Sequence, residues 1–166
     1  MIQKKICMMG AFAVGKTSLV SRFVKGIFSE KYLTTVGVKI DRVPWQSEGS
    51  TVNLILWDLH GEDEFQKMRL SYLRGSAGYI LVADLTRKAT LDKAIQLHME
   101  AQELLGPVPF VLAINKSDLT ADAEIGHEEI ASLTALGWPI ISTSAKSNTG
   151  VQEAFARLAK MILEAP

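Results

Sequence analysis

Short apolar runs of strand length alternate along the chain with longer segments of helical period. Residues 4–9 read as a first strand, followed by a glycine-containing loop and a helix over about residues 16–25. Residues 26–36 are polar and lack clear periodicity. Residues 38–45 and 51–58 read as paired strands, with Ser47-Glu48-Gly49-Ser50 supplying turn chemistry between them. In the second of these, Val52, Leu54 and Leu56 alternate with Asn53, Ile55 and Trp57, so one face should be core and the other partly covered. Residues 61–75 are charged and mixed. Beyond them, residues 79–83, 110–114 and 139–141 are apolar runs suited to buried strands. Helical patterns lie near 91–105, 125–136 and 150–163. The last carries a stripe of Val151, Ala154, Phe155, Leu158, Ala159 and Ile162. The alternation predicts an α/β fold with a mostly parallel sheet, and residues 1–166 show no repeat or linker that would divide them into more than one domain.

Gly10-Ala11-Phe12-Ala13-Val14-Gly15-Lys16-Thr17 fits G-x-x-x-x-G-K-[ST] between a strand and a helix. Glycines let the backbone curl so that successive N–H groups converge on phosphate oxygens, and the helix N-terminus adds partial positive charge. Lys16 can neutralise β- and γ-phosphates, and the Thr17 hydroxyl can ligate Mg²⁺. A plain turn before a helix is the alternative. It leaves Lys16 opposing the helix dipole in the first turn, at about a few tenths of a kcal/mol. Ala11, Phe12, Ala13, Val14, Gly15, Lys16, Thr17 and Ser18 are therefore candidate phosphate-binding residues.

Asp58 ends the third strand and opens a D-x-x-G arrangement with Gly61. A carboxylate there can hold Mg²⁺, usually through water, and the Gly61 N–H can meet a γ-phosphate. Asn115-Lys116-Ser117-Asp118 follows the run 110–114 at a strand's carboxyl end, where open α/β sheets bind ligands. Guanine presents N1–H and N2–H₂ side by side, which a carboxylate accepts as a pair while rejecting adenine. Asp118 suits that task. Asn115 can tie its loop to the phosphate loop, the Lys116 stem can lie over the base, and Ser144-Ala145-Lys146 offers the Ala145 N–H to guanine O6.

Eighteen basic and eighteen acidic side chains cancel, leaving no electrostatic footprint for nucleic acid or an anionic membrane. Cys7 is the only cysteine, which excludes an internal disulfide and fits a buried strand position in a reducing, cytoplasmic setting. No apolar run reaches the roughly 18 residues of a membrane span. Residue 2 is Ile and the chain closes on Leu163-Glu164-Ala165-Pro166, so neither myristoylation nor prenylation is expected. His60, His98 and His127 lack metal-ligand spacing. Trp45 and Trp138, beside Pro44 and Pro139, read as packing residues.

Taken in order, Gly10–Thr17, Lys31-Tyr32-Leu33-Thr34-Thr35-Val36-Gly37-Val38, Trp57-Asp58 with Gly61, Asn115–Asp118 and Ser144–Lys146 resemble the Ras superfamily of small GTPases, and within it the Rab-like branch. The resemblance covers nearly the whole chain. It implies a P-loop G domain with a six-stranded, mostly parallel sheet and helices on both faces. It also implies GDP/GTP cycling with Mg²⁺ and two mobile segments near 29–38 and 61–75. By resemblance, Thr35 closes over Mg²⁺ and the γ-phosphate, and Phe28 packs against guanine. Effector and regulatory proteins are expected to read residues 29–45 and 57–75 on a monomer. The missing anchor signals favour a prokaryotic or soluble relative over a vesicle-tethered one.

Three positions depart from the family pattern. Glu62 stands where the family has a glutamine that orients water, and a carboxylate there can repel developing γ-phosphate charge or accept a proton from the water. Phe12 and Ala13 replace small residues, often glycine, and the ring should obstruct an arginine finger supplied by a partner. The catalytic candidates are thus Lys16, Thr35, Gly61 and Glu62, with Thr17, Thr35 and Asp58 for the metal. Ile40, Trp57 and Tyr72 match an effector-facing aromatic patch. Phe65, Met68, Leu70, Tyr72 and Leu73 are either a partner surface or the packed side of a short helix. A GTP/GDP-binding scaffold with little hydrolysis is the alternative function. A P-loop kinase or ATPase is disfavoured by Asp118.

Overall fold

The computed structural model describes residues 2–25, 30–33, 37–59 and 71–165, with backbone alone at 30–33. In chain order the strands are β1 (Gln3–Gly10), β2 (Glu30–Leu33), β3 (Val38–Ser47), β4 (Ser50–Leu59), β5 (Gly78–Asp84), β6 (Phe110–Asn115) and β7 (Ile140–Ser142). The helices are α1 (Lys16–Val24), α2 (Lys88–Leu105), α3 (His127–Ala135) and α4 (Val151–Glu164), with a single 3₁₀ turn at Thr120–Asp122. All seven strands form one sheet in the order β2-β3-β4-β1-β5-β6-β7. β1 pairs in parallel with β4 and β5, and β5–β6 and β6–β7 are also parallel. The α/β fold and mostly parallel sheet expected from the sequence are present. The short β2 adds an antiparallel edge to β3, within a stretch whose polar sequence gave no strand signal.

The chain leaves β1 towards the β2–β4 side and then crosses from β4 to β5 on the other side, so the topological switch point lies at β1. In such sheets the crevice beyond the strands' carboxyl ends is the natural ligand site. Burial of both faces explains the unbroken apolar run at residues 6–9 of β1. Ile6 and Met8 enter the core beneath α1 and α4, while Cys7 and Met9 enter the core on the α2 side. The Cys7 thiol is fully buried, 3.1 Å from Ser76 Oγ, and burial pushes it up to about 11. β4 keeps the alternation read from its sequence: Val52, Leu54 and Leu56 are buried, and Asn53, Ile55 and Trp57 half-buried.

Between β3 and β4 the register closes at Ser47 opposite Ser50. Glu48 and Gly49 both have positive φ, 43° and 82°, as a tight two-residue hairpin turn demands. The predicted stripe of α4 is buried in full. Phe155 from that stripe stacks on Phe23 of α1 with ring centroids 4.1 Å apart, and Phe23 also meets Trp45 at 5.7 Å. Such ring pairs add about 0.5–1.5 kcal/mol beyond area burial and hold α1 at a fixed angle to the sheet. Trp138 packs on His98 and Phe110, at 4.5 and 5.2 Å. Helix α2 begins three residues earlier than its apolar pattern suggests, because the Thr90 hydroxyl bonds back to Arg87 O at 2.6 Å and secures the first turn.

Candidate functional site

Every strand of the parallel part ends at the same edge of the sheet, and each end carries chemistry. β1 ends at Gly10 and runs into the loop before α1; β4 ends beside Asp58, β5 at Asp84 and β6 at Asn115. The loop after β7 carries Thr143 and Ser144. A cleft of about 610 Å³ opens here, within the range of about 300–1,000 Å³ usual for small-ligand sites. Gly15, Thr17, Ser18, Asn115, Lys116, Asp118, Ser144, Ala145 and Lys146, all selected from sequence, line it.

The phosphate loop has the shape its glycines require. Gly15 sits at φ 103°, and a side chain there would run into Asn115 Nδ2. That amide donates to Val14 O at 2.9 Å, so the close approach of the two loops depends on the missing Cβ. At Gly10 a Cβ would lie 2.6 Å from Val82 O, so β1 and β5 could not draw together. Ala13 adopts φ 62° without being glycine, a left-handed residue of the kind that turns successive N–H groups inward. The Lys16 ammonium donates to Gly10 O and Ala11 O at 3.0 and 3.2 Å, holding it over the loop. The Phe12 side chain projects outward, 65% exposed.

Thr17 Oγ1 donates to Asp58 Oδ2 at 2.5 Å, and Asp58 is buried. A hydroxyl that gives its proton to a carboxylate keeps its lone pairs for a hard cation, and the carboxylate supplies the charge. This oxygen donor set fits Mg²⁺.

On the base side, Thr143 Oγ1 donates to Asn115 Oδ1 at 3.0 Å and Ser144 Oγ to Asp118 Oδ1 at 2.7 Å. Lys116 adopts φ 63°, a second strained non-glycine residue in the site. Its ammonium lies 2.9 Å from Asp84 Oδ2. Asp84 is buried and also accepts the Thr86 hydroxyl and N–H, at 2.7 and 2.9 Å, and Arg87 Nε at 3.0 Å. Burial pushes its carboxyl up, but the Thr86 hydroxyl, Lys116, the Thr86 N–H and Arg87 outweigh it and hold the pKa at about 2. Arg87 reaches further, its second nitrogen donating to Phe12 O at 3.0 Å. The carboxylate of Asp84 thus joins the base-side lysine to the phosphate loop.

Sequence reasoning passed over Asp84 and Arg87, along with Arg22, Ser21 and Lys25, which line the cleft. The signals were present. Asp84 follows an apolar strand run just as Asp58 and Asn115 do. Ser18, Ser21, Arg22 and Lys25 recur at helical spacing as a polar stripe on α1.

Phe28, Thr35, Gly61 and Glu62, with Phe65, Met68 and Leu70, lie outside the described residues. Tyr72 and Leu73 are fully buried, and the Tyr72 hydroxyl donates to Met8 O at 2.8 Å and meets Trp57 O at 2.6 Å. Of the three positions matched to an aromatic patch, Tyr72 is therefore core, while Ile40 and Trp57 are half-buried. No helix among the described residues is long and apolar enough to cross a membrane.

Comparison with known proteins agrees with this geometry. The Ras family profile matches residues 5–164. The chain is 34% identical over 161 residues to the Ras-related protein SEC4 of Saccharomyces cerevisiae, covering 96% of this chain and 75% of that one. To the GTP-binding protein YPTM2 of Zea mays it is 33% identical over 160 residues, covering 95% and 79%. To Rab-32B of Dictyostelium discoideum it is 34% identical over 170 residues, covering 96% of this chain and 64% of the relative's length. With strand-end chemistry, phosphate loop and base-side loop in one cleft, this chain belongs to the Ras family, in its Rab-like branch.

Proposed function

We propose that residues 1–166 act as one guanine-nucleotide switch domain that binds GTP and GDP with Mg²⁺ and hydrolyses GTP slowly without a partner. One observation carries the reading: Asn115 Nδ2 donates to Val14 O, so a loop built for phosphate and a loop built for a purine share one cleft. A nucleoside diphosphate or triphosphate can occupy both loops; a free phosphate or a free base does not use both halves.

In this reading Asp118 accepts guanine N1–H and N2–H₂, and the Ala145 N–H meets O6. The N–H groups of residues 11–18 and the Lys16 ammonium exchange their present surroundings for phosphate oxygens. Thr17 and Asp58 hold Mg²⁺, which supplies positive charge against the phosphates. Water attacks the γ-phosphorus in line with the β–γ bridging bond, that bond breaks, and GDP leaves with inorganic phosphate, which takes up the water's proton. Rate acceleration comes from positioning and from Lys16 and backbone N–H groups facing the developing charge. Thr35, Gly61 and Glu62 are proposed to complete the γ-phosphate side, and Phe28 the base side. Effector and regulatory proteins would bind at 29–45 and 57–75.

A scaffold that holds nucleotide but scarcely hydrolyses it is the second reading. It is favoured by Phe12, whose exposed ring stands at the lip of the phosphate loop where an incoming arginine would pass. Nucleotide extraction from purified protein, followed by phosphate release from GTP and ATP with Mg²⁺, separates the readings. Release from GTP alone is expected for the switch. Tight GTP retention without release supports the scaffold, and a preference for ATP overturns both.

A further inference from the structure

The helix that presents Lys16 and Thr17 also reaches the opposite end of the cleft. Arg22, about one and a half turns further along α1, donates from Nε to Ala145 O at 2.8 Å and from a terminal nitrogen to Lys146 O at 2.9 Å. Both acceptors are main-chain carbonyls of the loop proposed to read guanine O6. Arg22 lines the cleft beside Ser18, Ser21 and Lys25.

We infer that Arg22 is a positioning residue that sets how tightly the 144–146 loop holds a guanine base, and hence how fast nucleotide leaves. The inference rests on the guanine-nucleotide reading above. The physical case has three parts. A planar guanidinium engages two successive carbonyls at once, fixing the direction as well as the position of the peptide units between them. The first of these units is joined through Ala145 Cα to the unit that carries the Ala145 N–H, which must point at O6, so a rotation of the held unit swings that donor away. The anchor itself is rigid, because α1 is locked to α4 through the Phe23–Phe155 stack.

Elsewhere the loop is held from within. Ser144 N–H and O bond to Thr149 at 2.8 and 3.0 Å, and Ser147 N–H donates to Ser144 Oγ at 3.1 Å. Ala145 and Lys146 sit between those ties, and Arg22 is what meets their carbonyls from across the cleft. One helix thereby touches the phosphate site at its first turn and the base site at its second. Movement of α1 at one end must be felt at the other.

The test is release of fluorescent GDP, chased with excess unlabelled GDP at fixed Mg²⁺, from wild type, Arg22→Ala and Arg22→Lys. Alanine removes both carbonyl bonds, and release is expected to quicken on the order of tenfold. Lysine can serve one carbonyl but not the fork of two, so its rate should fall between. A second readout isolates positioning from general loosening: competition between GDP and 6-thio-GDP, which keeps the N1–H and N2–H₂ donors and replaces O6 by sulfur, a weaker acceptor. Arg22→Ala should shrink that discrimination several-fold, because the donor aimed at position 6 is less well held. Should alanine destabilise the free protein, the lysine variant still reports both quantities.

A wild-type release rate in Arg22→Ala, or equal losses of affinity for the two diphosphates, overturns the role of Arg22 and leaves the nucleotide reading intact. Wild-type protein that retains neither GDP nor GTP overturns both.

Discussion

The two halves of the cleft are built differently. On the base side the functional groups are already tied to one another: Asn115 to Thr143, Asp118 to Ser144, Lys116 to Asp84, and the 145–146 carbonyls to Arg22. On the phosphate side the principal cation is turned onto its own loop, with Lys16 on Gly10 O and Ala11 O. The first half is pre-organised by long-range side-chain bonds from four separate elements. The second is a backbone shape, set by Gly15 and Ala13 and braced from outside by Asn115 on Val14 O and Arg87 on Phe12 O, whose own ammonium, Lys16, must change partners when an anion arrives. Pre-organisation lowers the ordering cost of binding and gives selectivity. An exchangeable cation makes that half responsive to which phosphates are present.

Specificity should therefore fail on one side and affinity on the other. Asp118→Asn replaces an acceptor of two donors with an amide that can accept one and must oppose the other with its own N–H. We expect GDP affinity to drop by about 10³-fold or more and discrimination from ADP to collapse. Lys16→Ala should weaken GDP by about 10²-fold through lost phosphate neutralisation, with discrimination between GDP and ADP kept. Competition binding with both nucleotides reads the two losses separately. Equal loss of discrimination in the two variants would erase the distinction between the halves.

Acid provides an intermediate effect through Asp84, which bridges them. Its carboxyl is held at about 2, below the ordinary 3.8, so the ionised form is favoured by folding. Its contribution, about 2 kcal/mol, is full above the ordinary value and is lost as pH falls from near 4 towards 2. Denaturant melts from pH 2 to 5 should show wild type losing stability more steeply than Asp84→Asn across that window. Parallel curves would mean that the carboxylate is not selectively stabilised. The smallest effect belongs to Ala13→Gly. Relief of the left-handed strain, about 1 kcal/mol, is offset by the greater freedom of glycine in the unfolded chain, so stability should change by less than about 1 kcal/mol.

The phosphate half was legible in the sequence because its parts are contiguous: one loop between one strand and one helix. The base half was legible only where a motif marks it. Asn115, Lys116, Asp118 and Ala145 were found, but the supports Asp84 and Arg22 were not, since Asp84 stands 32 residues before its partner Lys116 and the Arg22–Ala145 bond spans 123 positions. The apolar run before Asp84 and the polar stripe of α1 mark these residues, but nothing in either pattern says which distant residue each one meets. Tyr72 had two readings, a partner surface or the packed side of a short helix, and its full burial against the carbonyls of Met8 and Trp57 selects the second. Edge strand β2 was missed because its four residues, Glu30-Lys31-Tyr32-Leu33, are too few and too mixed to show alternation, which a lone edge strand does not need.

Calorimetric titration of nucleotide-stripped protein with GDP and then ADP, in Mg²⁺, tests the central claim most directly. Expected is saturable GDP binding at one molecule per chain, with ADP weaker by about 10³-fold or more. Equal binding of ADP, or no heat from either nucleotide, would contradict a cleft in which Asp118 reads guanine above a phosphate-holding loop.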